Sequence, residues 1–267
     1  MAVRDGGEGS GDSRIGALQD ARAALRGAWG EHGTWVVALV SCGTGLLLAR
    51  HPGWKGFLLL PGVALFTGAK GLATRYRRSG RGSVPLALFL AAGAACLAPA
   101  ALAVPRAALA LALLVAPFSV LYFAFAHSPR WTRALAVELA GTFLLASTSG
   151  FALLLARPEA YAEALSAWGF FGLTYLPGVL RARIPKDPSV AMKAWCTLLA
   201  LAGPLCLAGL SLAGRCSWWA LLAAPPLLKD AYRAWVLPAW STRTLGLNLT
   251  LKAVYVAAVV GLAWRPT

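Results

Sequence analysis

Only ten of the 267 residues are acidic, against 25 Lys and Arg, so the position of each acid carries information. Asp5, Glu8, Asp12, Asp20 and Glu31 precede the first long apolar run, which leaves Glu138, Glu159, Glu163, Asp187 and Asp230 for the rest of the chain. Glu31 and His32 stand at the mouth of that first run and Glu138 sits about five residues into a later one, where a carboxylate or an imidazole can accept a proton. Lys70, Arg75, Arg181, Arg183 and Lys252 lie inside or at the ends of apolar runs, and their chemistry is to hold a phosphate or a carboxylate. Helical spacing sorts several of these onto common faces: Glu138 with Thr142 and Ser149, Thr67 with Lys70 and Thr74, Thr174 with Arg181, and Asn248 with Lys252 and Tyr255. Structural roles stand beside each chemical one. Lys70 and Lys252 can snorkel to an interface, the arginines can set topology and touch anionic lipid, and Glu138 can pair with Arg130 or Arg133. His32 and His127 with Glu31 and Glu138 have no spacing that enforces a metal site, and neither a metal nor a cofactor is indicated.

The elements that must carry these residues follow from composition. With 58% hydrophobic residues, 13% charged and a mean hydropathy of +0.65, the chain has no water-facing surface to build and reads as an integral membrane protein. A net charge of +15 in a soluble protein would point to nucleic acid, but here the basic residues punctuate apolar runs instead of collecting on one face, so nucleic acid is excluded as a partner. Cys42, Cys96, Cys196, Cys206 and Cys216 form no close pair, so neither a disulfide framework nor a zinc site is expected. Residues 1–30 mix acids, bases and glycines without the apolar core of a signal peptide; they read as a disordered tail or, from Arg14 to Trp29, an amphipathic helix along the head groups. Residues 31–267 then form a single transmembrane helical domain.

Turn and charge signals divide that domain into nine spans, approximately 34–50, 54–75, 84–104, 106–126, 132–156, 160–181, 190–213, 216–236 and 244–264. The cut at Pro105 is the weakest, and merging the two runs beside it gives eight crossings. Charge decides between the two. With nine, 17 basic residues fall on the side of the amino terminus and six on the other, with Lys70 and Lys252 inside spans. The positive-inside rule then makes the amino terminus cytoplasmic and the carboxyl terminus external, in a bacterial inner membrane. On this threading the intramembrane charges gather toward the cytoplasmic half, as expected for an inward-opening, partly wet cavity.

The stretch Glu31-His32-Gly33-Thr34-Trp35 resembles the Glu-His-Gly-Ala-Trp signature of the YwiC-like family, bacterial integral membrane proteins with no assigned function. RALAVELAG, from Arg133 to Gly141, and YLPGVLRARI, from Tyr175 to Ile184, resemble two further segments of that family, in the same order; Thr34 replaces its Ala, and the carboxyl third matches only in hydropathy. Those segments hold Glu31, His32, Glu138, Arg181 and Arg183. A second resemblance, at the level of fold, is to the UbiA-type intramembrane prenyltransferases, which implies a nine-helix arrangement with a cytoplasm-facing cavity and functional loops after the second and sixth helices. That family holds magnesium diphosphate with Asp-rich motifs in those loops. The corresponding stretches here, Thr67 to Arg81 and Pro177 to Asp187, contain only Asp187 among acids, so magnesium-dependent prenyl transfer is disfavoured.

Three function classes follow: a membrane enzyme or binder acting on an amphipathic anionic lipid or isoprenoid, a small-solute or ion transporter, and a structural assembly subunit. The partners expected are membrane lipid and an amphipathic anionic small molecule. Whether the chain is an enzyme, and its oligomeric state, stay open.

Overall fold

A computed structural model describes residues 32–50, 53–79, 83–126, 135–236 and 242–265. Glu31, His127 and the amphipathic segment expected between Arg14 and Trp29 lie outside the described residues. The chain is all-α: α1 His32–Ala49, α2 Leu59–Ser79, α3 Ser83–Ala103, α4 Pro105–Ala126, α5 Leu135–Ala156, α6 Tyr161–Arg183, α7 Val190–Leu212, α8 Ala224–Trp235 and α9 Thr242–Ala263. A one-turn helix, Gly53–Phe57, leads into α2, and a 3₁₀ turn, Trp218–Ala223, leads into α8. Pro105 opens α4, so the cut between the third and fourth spans falls where the sequence places it.

Val84–Ala103, Leu135–Ala156, Val190–Leu212 and Thr244–Ala263 are long and apolar enough to cross a bilayer, and Thr34–Ala49, Leu59–Ala69 and Ala112–Leu121 add shorter apolar helices. The apolar side chains Leu102, Leu109, Leu113, Leu205, Leu212 and Leu262 point outward from these helices, which suits lipid and not water. The protein is a helical membrane bundle.

The expected span 216–236 is not one helix. Pro225 and Pro226 sit in the first turn of α8, where their missing N–H groups cost nothing, and they separate the 3₁₀ turn from the 12-residue helix. What results is an amphipathic α8 that buries Leu227, Asp230 and Ala234 against the bundle and exposes Tyr232 and Trp235.

The core is built on α5 and α6, with α1, α7 and α9 packed around them. Leu153, Ala164, Ala167, Trp168, Phe170, Phe171, Val256, Val260 and Trp264 form one continuous buried cluster. Small residues set the closest crossings. A Cβ on Gly45 of α1 would overlap the Ser149 carbonyl oxygen of α5, and one on Gly150 would lie 2.9 Å from the Ala164 carbonyl of α6. Backbone-to-backbone approach of this kind is how membrane helices gain dispersion energy, since lipid removes the hydrophobic drive between them. The crossings are locked by Thr148, whose hydroxyl donates to the Ala38 carbonyl at 3.1 Å, and by Trp168, whose indole N–H donates to the Phe143 carbonyl at 2.8 Å.

Candidate functional site

Charged side chains meet at both ends of α6. At its carboxyl end Arg181 Nη1 donates to Asp230 Oδ1 of α8 at 2.8 Å, and Lys252 of α9 donates to the other carboxylate oxygen, Oδ2. Lys252 Nζ also donates to the Thr174 carbonyl at 3.2 Å. All three ionic side chains are buried: Asp230 is 2% exposed, Arg181 7% and Lys252 9%. Two cations therefore share one carboxylate, and the triad carries a net positive charge away from water.

Depth follows from helix rise. Glu163 and Arg181 are eighteen residues apart on α6, about 27 Å at 1.5 Å per residue, close to the thickness of a hydrocarbon core. Thr174 lies midway between them, and Lys252, ten residues into α9, brings its ammonium to that level. The triad extends from the carboxyl end of α6 at Arg181 inward to the level of Thr174. At the level of Thr174, Ser41 of α1 and Tyr175 of α6 bring two buried hydroxyls together.

Beside the triad, Arg183 forms a two-pronged pair with Glu138 of α5, Nε to Oε2 at 2.8 Å and Nη2 to Oε1 at 2.7 Å. This pair is partly open to solvent, with the side chains 26% and 41% exposed. Arg183 stands past the predicted span 160–181, and its hydrogen bond to Glu138 raises its already high pKa further.

Of the residues singled out from sequence, the structure brings Glu138 to Arg183 and Arg181 to Lys252 through Asp230. It does not aim Arg181 and Arg183 at one point, because residues two apart on a helix face nearly opposite ways. Lys252 does not snorkel; it turns inward to Asp230. His32 opens α1, and Lys70 and Arg75 lie in α2. The side chains of those three lie outside the described part, as does Glu31. Asp230 was not among the expected site residues. Its signal in the sequence is that it is the only acid after Asp187, set between Lys229 and Arg233.

Sequence reasoning also passed over the cluster at the other end of α6. Arg157 donates to Glu163 with both prongs, at 2.9 and 3.2 Å, and Arg215 Nη1 approaches Glu163 Oε1 at 3.9 Å. Trp264 Nε1 donates to Glu163 Oε2 at 3.5 Å. Two backbone devices deliver these groups. Gly214, at φ +72°, closes α7 in a Schellman turn in which Arg215 N–H reaches the Leu210 carbonyl at 2.9 Å. A short antiparallel bridge then joins Cys216 to Trp264, with Ser217 N–H on the Ala263 carbonyl and Arg265 N–H on the Arg215 carbonyl, both at 2.8 Å. Among the described residues no three His, Cys, Asp or Glu side chains are grouped to hold a metal ion.

Comparison with known proteins gives one match: residues 30–154 fit the family model described as YwiC-like protein. Over those residues the chain is similar to that family, in agreement with the resemblance read from Glu31-His32-Gly33-Thr34-Trp35 and from RALAVELAG. The segment YLPGVLRARI lies beyond the matched stretch. No curated protein and no solved structure matches the chain.

Proposed function

We propose, with the YwiC-like character of residues 30–154 as the premise, that this membrane protein binds the anionic head group of an amphipathic, membrane-dissolved molecule at the Arg181 end of its bundle. The observation that carries the reading is the triad: Arg181 and Lys252, both buried, against the single carboxylate of Asp230. A charge left unbalanced inside a membrane costs several kcal/mol, and an anion drawn to the triad offsets that cost while its apolar tail stays in the bundle or the lipid. The buried hydroxyls of Ser41 on α1 and Tyr175 on α6 add neutral polar groups at the inner end of the triad.

In this reading the bundle has nine spans in a bacterial inner membrane, with the amino terminus and the Arg181 end cytoplasmic, and the head group enters through a cavity facing the cytoplasm. Arg181 and Lys252 hold the anion, Lys70 and Arg75 add to the basic rim, and Arg183 is positioned by Glu138. Glu138, or His32 beside Glu31, accepts a proton if the ligand is modified and not only bound. The UbiA-type arrangement belongs to the proposal in outline alone, because the loops after α2 and α6 lack the carboxylates that magnesium diphosphate needs.

The test uses purified protein in detergent with EDTA present, titrated with farnesyl phosphate and with farnesol. The phosphate should bind at least about tenfold more tightly, and Lys252→Met, Glu138→Gln and His32→Ala should each reduce that preference while the protein still inserts. Equal binding of the two probes overturns the reading, as does binding that EDTA abolishes.

One observation favours a second reading. The same helix that carries Arg181 carries the buried Glu163 cluster at its opposite end, as a two-gated solute path would require. Uptake of a small anion into proteoliposomes, lost in both Arg181→Ala and Glu163→Gln, would support transport over binding.

A further inference from the structure

The end of the bundle away from the triad holds a cavity that the proposed anion-binding site does not use. It has a volume of about 140 Å³ and is lined by Arg157, Glu159, Ala160, Ala162, Glu163 and Arg215. We propose that this cavity binds a small zwitterion consisting of a phosphate and a primary ammonium, as in the head group of phosphatidylethanolamine.

The charges decide the class. Within the lining, Glu163 is 2% exposed and is taken up by the two-pronged grip of Arg157 and by the Trp264 indole, so this pair forms the floor. The rim groups are of opposite sign and each makes a long contact to the floor: Arg215, whose side chain is 33% exposed, lies 3.9 Å from Glu163, and Glu159, 74% exposed, lies 3.9 Å from Arg157 Nε. The four charged groups of the lining sum to zero, which gives a ligand of single charge no net attraction. A ligand with both signs meets a complementary pair. Its phosphate faces the Arg215 guanidinium, which suits a planar, multi-donor partner, and its ammonium faces the Glu159 carboxylate, which accepts from it.

Size and place agree with the charges. A cavity of about 140 Å³ has room for a head group but not for an acyl chain. On the proposed reading, which puts the Arg181 end at one membrane face, Glu163 lies about 27 Å along α6 and puts the cavity near the other face, where lipid phosphates lie. The backbone that carries Arg215 is held: the Schellman turn at Gly214 and the Cys216–Trp264 bridge fix it, and Arg50 Nη2 donates to the Trp264 carbonyl at 3.1 Å from the end of α1. With its backbone held, Arg215 loses less ordering entropy when the ligand arrives.

The same chemistry can come from a lipid or from free phosphoethanolamine, and the experiment separates them. Native mass spectrometry of the full chain in detergent would be run with phosphatidylethanolamine, phosphatidylglycerol or soluble phosphoethanolamine as the probe. Phosphatidylethanolamine should be retained about tenfold over phosphatidylglycerol, and Arg215→Gln and Glu159→Gln should each erase most of that preference. Glu159 is exposed and lies outside the buried pair, so its substitution leaves the fold intact and keeps the test decisive. Displacement of the lipid by millimolar phosphoethanolamine would identify the head group alone as the ligand. Retention of the lipid against it would identify the head group at its membrane depth. Equal retention of both lipids overturns the proposal, and so does a preference that survives both substitutions.

Discussion

Asp230→Asn separates a charge triad from a set of independent contacts. Asp230 joins α6, α8 and α9 through Arg181 and Lys252, and its side chain is 3% exposed. Replacing it with Asn keeps the volume but removes the carboxylate that both buried cations contact. Removing one partner of a buried pair costs about 3–5 kcal/mol, mostly as the penalty of the charge left behind. Lys252→Met is the opposite perturbation: it leaves Arg181 and Asp230 as a balanced pair and fills the space with an apolar chain, so its cost should stay below about 2 kcal/mol. For a chain of this length 1 kcal/mol corresponds to about 2–4 °C in Tm, which puts the Asp230→Asn shift on the order of 10 °C and the Lys252→Met shift at a few degrees. Thermal unfolding in detergent, followed with a thiol-reactive dye, reads this directly, because Cys42, Cys196 and Cys216 are free and buried and become reactive only when the helices part. Equal shifts for the two variants, or a larger one for Lys252→Met, would refute the claim that the triad is held by a shared carboxylate with excess positive charge.

Glu138→Gln should lower Tm by no more than about 2–4 °C, since its pair with Arg183 is partly solvated and such pairs contribute about 1 kcal/mol or less; the same melting assay checks it. Gly45→Val should destabilise the bundle by about 1–3 kcal/mol through overlap with the Ser149 carbonyl, seen as a loss of monodisperse protein on size exclusion after mild heating. Gly43→Val, where a Cβ meets open space, is the control and should behave as the parent. Reporter fusions at the two termini should report opposite sides of the membrane; a reporter at Thr267 found on the side of the amino terminus would remove the nine-span reading.

The helices were legible because apolar runs, Pro and Gly breaks and charge asymmetry act locally. Pro105 and Gly53 mark ends that the structure reproduces within a few residues. The eighth element was legible only as apolar content. Pro225 and Pro226 were read as part of a run, when their missing N–H groups start a new helix and turn the preceding residues into a 3₁₀ turn. The charge pairing was harder to read, since it depends on which helices become neighbours. Arg181 finds Asp230 across 49 residues, and Lys252 finds the same carboxylate from 22 residues further on. Helical facing did carry one piece of the answer that went unused: at a spacing of two, Arg181 and Arg183 must face different partners. The Arg157–Glu163–Arg215 cluster was missed for a different reason. Arg215 reaches Glu163 through the turn at Gly214, a backbone device that no hydropathy or charge count records.

The bridge between Cys216 and Trp264 has a kinematic consequence. It clamps the carboxyl end of α9 to the corner after α7, and Arg50 adds a third hold on Trp264, so that end of α9 acts as a fulcrum and the rest of the helix as its lever arm. Lys252 lies twelve residues along the arm, about 18 Å from the fulcrum, and a swing of about 10° displaces it by about 3 Å. That travel equals the length of the contact it makes with the Thr174 carbonyl. A rotation that moves Val260 by only about 1 Å therefore suffices to disengage Lys252, so a buried charge is held at the end of a long lever.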